Sequence, residues 1–145
     1  MIKNERQYRI TKAQAARFER TLTELSTATL KPVIHPKLRK AELAGLCSQL
    51  ADLNQQLKKY EALRSGRHRV LAFDSIEDLP KTLIQARIAI GLSQEELAAK
   101  LGLKPQQIQR YEATNYQSAS LQRVNEIVKV LGVKLRHRTQ LLLLS

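Results

Sequence analysis

The chain has 145 residues and carries 25 Lys and Arg against 13 Asp and Glu, a formal net charge of +12. That surplus favours a polyanionic partner, and the single Cys47 excludes an internal disulfide and fits a reducing cytosol. Met1 leads into polar NERQYR rather than a secretory signal, and the run Leu141 to Leu144 falls far short of the ~20 apolar residues that cross a bilayer, so a soluble cytoplasmic chain of one domain or two small ones is expected.

In chain order, residues 11–29 open at Thr11 as a candidate cap and carry Ala15, Phe18, Leu22 and Leu25 at spacings of three and four, which predicts a helix. KPVIHP then breaks the chain, because Pro32 and Pro36 each push the preceding residue out of the helical region. From about residue 37 to 64 a longer helix is predicted. Its Leu43, Leu46, Leu50, Leu53, Leu57 and Tyr60 form a heptad seam. Such a seam fits an intramolecular antiparallel hairpin with residues 11–29, or a dimer contact. At 1.5 Å per residue the shorter helix spans about 28 Å and the longer about 42 Å, so part of the seam needs another partner. A hairpin plus a dimer contact is the expectation.

Residues 65–78 form a boundary. Ser65 and Gly66 end the long helix, HRVLAF has β character through Val70, Leu71 and Phe73, and Asp74 and Ser75 open a turn and a cap. The division is therefore 1–66, a helical hairpin for dimerisation or partner binding, and 67–145, a second unit. The charge is uneven. Residues 1–35 carry seven basic and three acidic side chains, residues 36–69 eight and three, and residues 70–145 ten and seven.

Residues 92–112, LSQEELAAKLGLKPQQIQRYE, carry the strongest local signals. Ser93 and Glu96 have capping-box spacing, and Leu97, Ala98 and Leu101 form one apolar stripe. Gly102 stops the helix, and Pro105 suits the first turn of the next. Ile108 and Tyr111 give that second helix its buried face. Gln106, Gln107, Gln109 and Arg110 remain outward, and long amides and guanidinium groups are what read base edges in the major groove. Beyond it, VKLRHRTQLLLLS alternates. Val133, Leu135, His137 and Thr139 lie on one side, and Lys134, Arg136, Arg138 and Gln140 on the other, which predicts a strand. A lone strand is unstable, so it should pair with residues 68–73 or with its copy in a second subunit. The expected fold is mainly α: an N-terminal helical hairpin plus a C-terminal helix-turn-helix unit, with a short β-strand pair or strand at the C terminus.

Leu97, Ala98, Leu101, Gly102, Leu103, Ile108 and Tyr111 fill the fixed positions of a known pattern, and the segment resembles the helix-turn-helix of the Xre/Cro/phage-repressor family. The flanking KTLIQARIAIG and SLQRVNEIVKVLG resemble its neighbouring helices, so the likeness covers roughly residues 78–133. The resemblance implies a sequence-specific double-stranded DNA-binding regulator, a repressor acting as a homodimer. It also implies a phosphate or base-edge contact at Gln94, base reading at Gln106, Gln107 and Arg110 with Lys104 and Gln109 beside them, and backbone contacts at Asn115 and Tyr116. Arg87 and Glu112 would form a structural ion pair. Pro105 departs from the family, which often has a polar residue there.

The alternative is an antitoxin that neutralises a toxin partner through its basic N-terminal half and autoregulates its operon. Enzyme chemistry has no supporting residues. His35, His68 and His137 are scattered without metal-ligand spacing, no glycine-rich phosphate loop occurs, and Cys47 sits in a Leu- and Ala-rich helix as packing. No metal, cofactor or membrane contact is expected.

Overall fold

Asn4 starts the first helix. Its Oδ1 accepts from the Gln7 N–H at 2.9 Å, while the Gln7 side chain accepts from the Lys3 N–H at 2.8 Å, so one orphan donor of the first turn and the N–H just before the helix are satisfied reciprocally. Helix α1 therefore runs Glu5–Thr27, starting well before the Thr11 expected from its apolar stripe. The computed structural model describes residues 1–27, 36–67, 70–72 and 75–134. Within these, α2 spans Pro36–Arg64, α3 Leu79–Ala89, α4 Gln94–Leu101, α5 Pro105–Ala113 and α6 Leu121–Val130, with a 3-10 turn at Ile76–Asp78 before α3.

Helices α1 and α2 pack antiparallel. Glu5 pairs with Arg64 at 2.7 Å, the Tyr8 hydroxyl donates to Glu61 at 2.6 Å, and the Tyr8 and Tyr60 rings stack at 5.2 Å. At the far end Arg39 donates to the Leu25 carbonyl at 2.5 Å. Along the α2 seam, Leu57 and Tyr60 are buried, whereas Leu43, Leu46, Leu50 and Leu53 are only half-buried. The hairpin end nearest residues 5 and 64 is thus the end that meets the rest of the protein. There Ile2, Leu57, Tyr60 and Leu63 join Leu83, Ile84, Leu97, Ala98, Ile108 and Ile127 in one contiguous apolar cluster. Helix α2 packs on α3, and α4 packs on both α5 and α6.

Local chemistry sets the α4–α5 pair. Ser93 Oγ accepts from the Glu96 N–H at 3.1 Å, and the Glu96 carboxylate accepts from the Ser93 N–H at 2.7 Å, a complete capping box. Those bonds hold the Glu96 carboxyl below the ordinary carboxylate range. At the other end Gly102 takes φ +65°, which a side chain would strain. The Leu103 and Gly102 N–H groups close back on the Ala98 and Ala99 carbonyls at 2.9 and 3.2 Å. Gly102, Leu103 and Lys104 then form the whole connection to α5, whose first residue is Pro105. Ala98 and Ile108 are fully buried.

The expected strand pair is corrected. The described residues contain helices and turns and no strand. Val70, Leu71 and Ala72 have no ladder, and Val70 is 84% exposed. At the C-terminal side, Gly132 turns left-handed at φ +65°, and the Val133 N–H is spent on the Val128 carbonyl at 3.4 Å. The first residue of the expected strand therefore closes helix α6 instead. Residues 135–145, with the rest of that alternation and the terminal leucines, lie outside the described residues, as do residues 68, 69, 73 and 74.

Candidate nucleic-acid interface

Helix α5 presents two faces of opposite character. Ile108 and Glu112 point inward and are fully buried, and Tyr111 is half-buried; Lys104, Gln106, Gln107, Gln109 and Arg110 are exposed. Lys104, Gln106, Gln107 and Arg110 line one shallow, open depression, and Gln109 falls outside that lining. Two amides, an ammonium and a guanidinium thus share one concave surface. Amides supply donors and acceptors together and the cations supply donors only, the set that meets base edges flanked by phosphates. Within the group, Gln107 Nε2 donates to the Tyr111 hydroxyl at 2.9 Å.

Behind this surface lies a buried charge network. Glu112 accepts from Arg87 Nε at 2.6 Å, from Arg87 Nη2 at 2.8 Å and from Gln94 Nε2 at 2.7 Å. The Arg87 side chain is 3% exposed and that of Glu112 fully buried. Arg87 also donates to the Leu92 and Lys3 carbonyls at 2.7 and 2.6 Å. The guanidinium thereby ties α3, the turn before α4, the end of α5 and the N-terminal segment at one point. Gln94 is only 7% exposed. Its amide donates to Glu112 and accepts from Asn4 Nδ2 at 3.0 Å.

Asn115 and Tyr116 close α5. Asn115 takes φ +47°, a left-handed conformation that asparagine tolerates better than most side chains. Its N–H and that of Tyr116 return to the Glu112 and Tyr111 carbonyls at 3.2 and 2.6 Å. The Asn115 side chain accepts from Lys3 Nζ at 3.1 Å, and the same ammonium donates to the Glu112 carbonyl. A cation at the C-terminal end of a helix meets the negative end of its dipole. Tyr116 is 3% exposed and its ring stacks on Tyr111 at 6.3 Å. Burial first, and the Glu112 charge second, push the Tyr116 phenol well above its ordinary value.

The fold thus brings Lys104, Gln106, Gln107 and Arg110 together, keeps Asn115 exposed at the end of the same helix, and places Gln94 and Tyr116 inside. Arg87 and Glu112 form the expected pair. The contribution of Ile2, Lys3 and Asn4 to the back of the site had no sequence motif pointing to it; the Asn4–Gln7 spacing marks a helix start but not where that start docks. Among the described residues no cluster of His, Cys, Asp or Glu could hold a metal ion, and no helix is long and apolar enough to cross a membrane.

Residues 83–137 match a family model described as helix-turn-helix. Comparison with curated proteins and with solved structures finds no match. The matched residues hold the two helices joined by the three-residue turn at Gly102, the buried Ala98 at their crossing and the polar outer face of α5. Over that segment the chain matches the Xre/Cro/phage-repressor type of helix-turn-helix, a type found in DNA-binding transcription regulators.

Proposed function

We propose that the chain is a cytoplasmic, sequence-specific double-stranded DNA-binding repressor that acts as a homodimer. In this reading residues 67–145 read the operator and residues 1–66 serve assembly. The observation that carries it is the outer face of α5, where Gln106, Gln107 and Arg110 share one open concavity with Lys104. Glutamine pairs bidentately with adenine and arginine with guanine. Lys104, at the turn, suits a phosphate, and Gln109 and Asn115 flank the reading face. Gln94 spends its Oε1 on Asn4 and one Nε2–H on Glu112, which leaves its second Nε2–H for a phosphate, and Tyr116, 3% exposed with its N–H and carbonyl both bonded within the protein, stands behind the reading face as support. A single motif of this kind buries little surface, so two copies on half-sites about 34–36 Å apart are the natural arrangement. The half-buried Leu43–Leu53 part of α2 is the candidate contact between them.

The test is a selection of bound sequences from random duplexes, followed by titrations at several salt concentrations. A preferred sequence is expected, with log affinity falling linearly in log salt as phosphate counterions are released. Arg110→Ala should cost about 1–3 kcal/mol against the preferred base at one position and leave the thermal midpoint in place, because Arg110 is exposed. Flat salt dependence, or no preferred sequence, would overturn the reading, and sedimentation showing a monomer at micromolar concentration would remove the dimer. The antitoxin reading draws on a different observation, the larger charge surplus of residues 1–69. Tight binding of a small protein encoded beside this one would favour it.

A further inference from the structure

We infer that Tyr111 is a positioning residue for base specificity: its hydroxyl holds the Gln107 amide ready to read adenine. This rests on the proposed reading of α5 as the base-reading helix. Gln107 and Tyr111 stand one turn apart on α5, so their side chains meet on the helix surface, and Gln107 Nε2 donates to the Tyr111 hydroxyl at 2.9 Å. That bond uses one of the two amide N–H donors. The second N–H and Oε1 stay free, and they form the donor and acceptor that adenine N7 and the adenine N6 amino group complement.

The anchor itself is fixed from below. Tyr111 is half-buried, its ring stacks on Tyr116 with an interplanar angle of 28°, and the Tyr116 N–H donates to the Tyr111 carbonyl at 2.6 Å. Tyr116 in turn is 3% exposed. The hydroxyl therefore takes its position from the core of the protein. An exposed glutamine without such a partner loses rotamer freedom when it meets a base, whereas one already held in place has less to lose. Gln107 also lines the same depression as Lys104, Gln106 and Arg110, so a base edge entering there meets the held amide together with two cations.

Tyr111→Phe removes the hydroxyl and keeps the ring. With the preferred duplex known from selection, affinities are measured for duplexes carrying each base in turn at each position, for the full chain. The variant should lower the preference for adenine at one position about fivefold, the worth of one neutral hydrogen bond. The other positions, the salt slope and the thermal midpoint should not move. Gln107→Met should erase the preference at that same position, and in its background Tyr111→Phe should have no further effect.

Unchanged preferences in Tyr111→Phe, or an equal loss when Gln107→Met is already present, would overturn the inference while leaving the DNA-reading function intact. If Tyr111→Phe disturbs the fold, the exposed Gln107→Met decides alone: it must erase a preference for adenine, and erasing none, or one for another base, overturns the inference. A wild-type chain without any preferred sequence removes the base-reading function itself, and this role with it.

Discussion

Arg87→Ala is expected to lower the stability of the protein by about 3–5 kcal/mol, the usual cost of removing one partner from a buried ion pair. The size follows from what stays behind. Glu112 is fully buried, and after the substitution its carboxylate keeps only the Gln94 amide, losing the Arg87 contacts at 2.6 and 2.8 Å. The Leu92 and Lys3 carbonyls lose their guanidinium donor as well. Urea denaturation of wild type and variant, followed by circular dichroism, measures the difference. Arg87→Met combined with Glu112→Leu should recover part of the loss, because no buried charge is then left alone. A cost below about 1 kcal/mol for Arg87→Ala would mean that water reaches the pair and that the network is not the anchor described.

Ile2→Ala is expected to cost about 2–5 kcal/mol, as for other large-to-small changes in a packed core. Ile2 is 3% exposed and belongs to the same apolar cluster as Leu57, Leu83 and Ile108. Its neighbours Lys3 and Asn4 bond to Arg87, Asn115 and Gln94, so a cavity at Ile2 loosens the segment that joins α1 to the back of α5. The loss should therefore show in two readouts: a lower urea midpoint, and weaker binding of the selected duplex than the stability loss alone explains. A stability change confined to a few tenths of a kcal/mol would place Ile2 outside the core.

Much of the α4–α5 unit is legible in the chain because it rests on chemistry within a few residues. Ser93 and Glu96 cap each other, Gly102 alone accommodates the left-handed turn, and Pro105 fits the first turn of α5; none of these depends on a distant partner. The outward set Gln106, Gln107, Gln109 and Arg110 follows from the helical period once Ile108 is placed inside. What a local reading could not supply is long-range closure. Lys3 meets Asn115 across 112 residues of chain, and nothing in the N-terminal sequence separates that lysine from any other surface charge. Gln94 reads as an outward polar residue from its place at a helix start, and only the approach of Asn4 and Glu112 from other elements encloses it. The start of the strand expected after Gly132, at Val133 and Lys134, is not part of a strand, for a different reason. Alternation is a pattern of side chains, whereas Val133 had already committed its N–H to the end of α6.

The hairpin is also a lever. Helix α2 is buried only near its C-terminal end, at Leu57, Tyr60 and Leu63, and from there to Pro36 it runs on for about 30 Å at 1.5 Å per residue. A tilt of about 5° at that base shifts the tip by about 3 Å, close to the ~3.4 Å step between successive phosphates of one DNA strand. In the function proposed above, a second copy or another protein holding the tip would therefore bear on where α5 meets the duplex. The base of that lever is the apolar contact of Leu57, Tyr60 and Leu63 with the rest of the cluster, joined by Ile2.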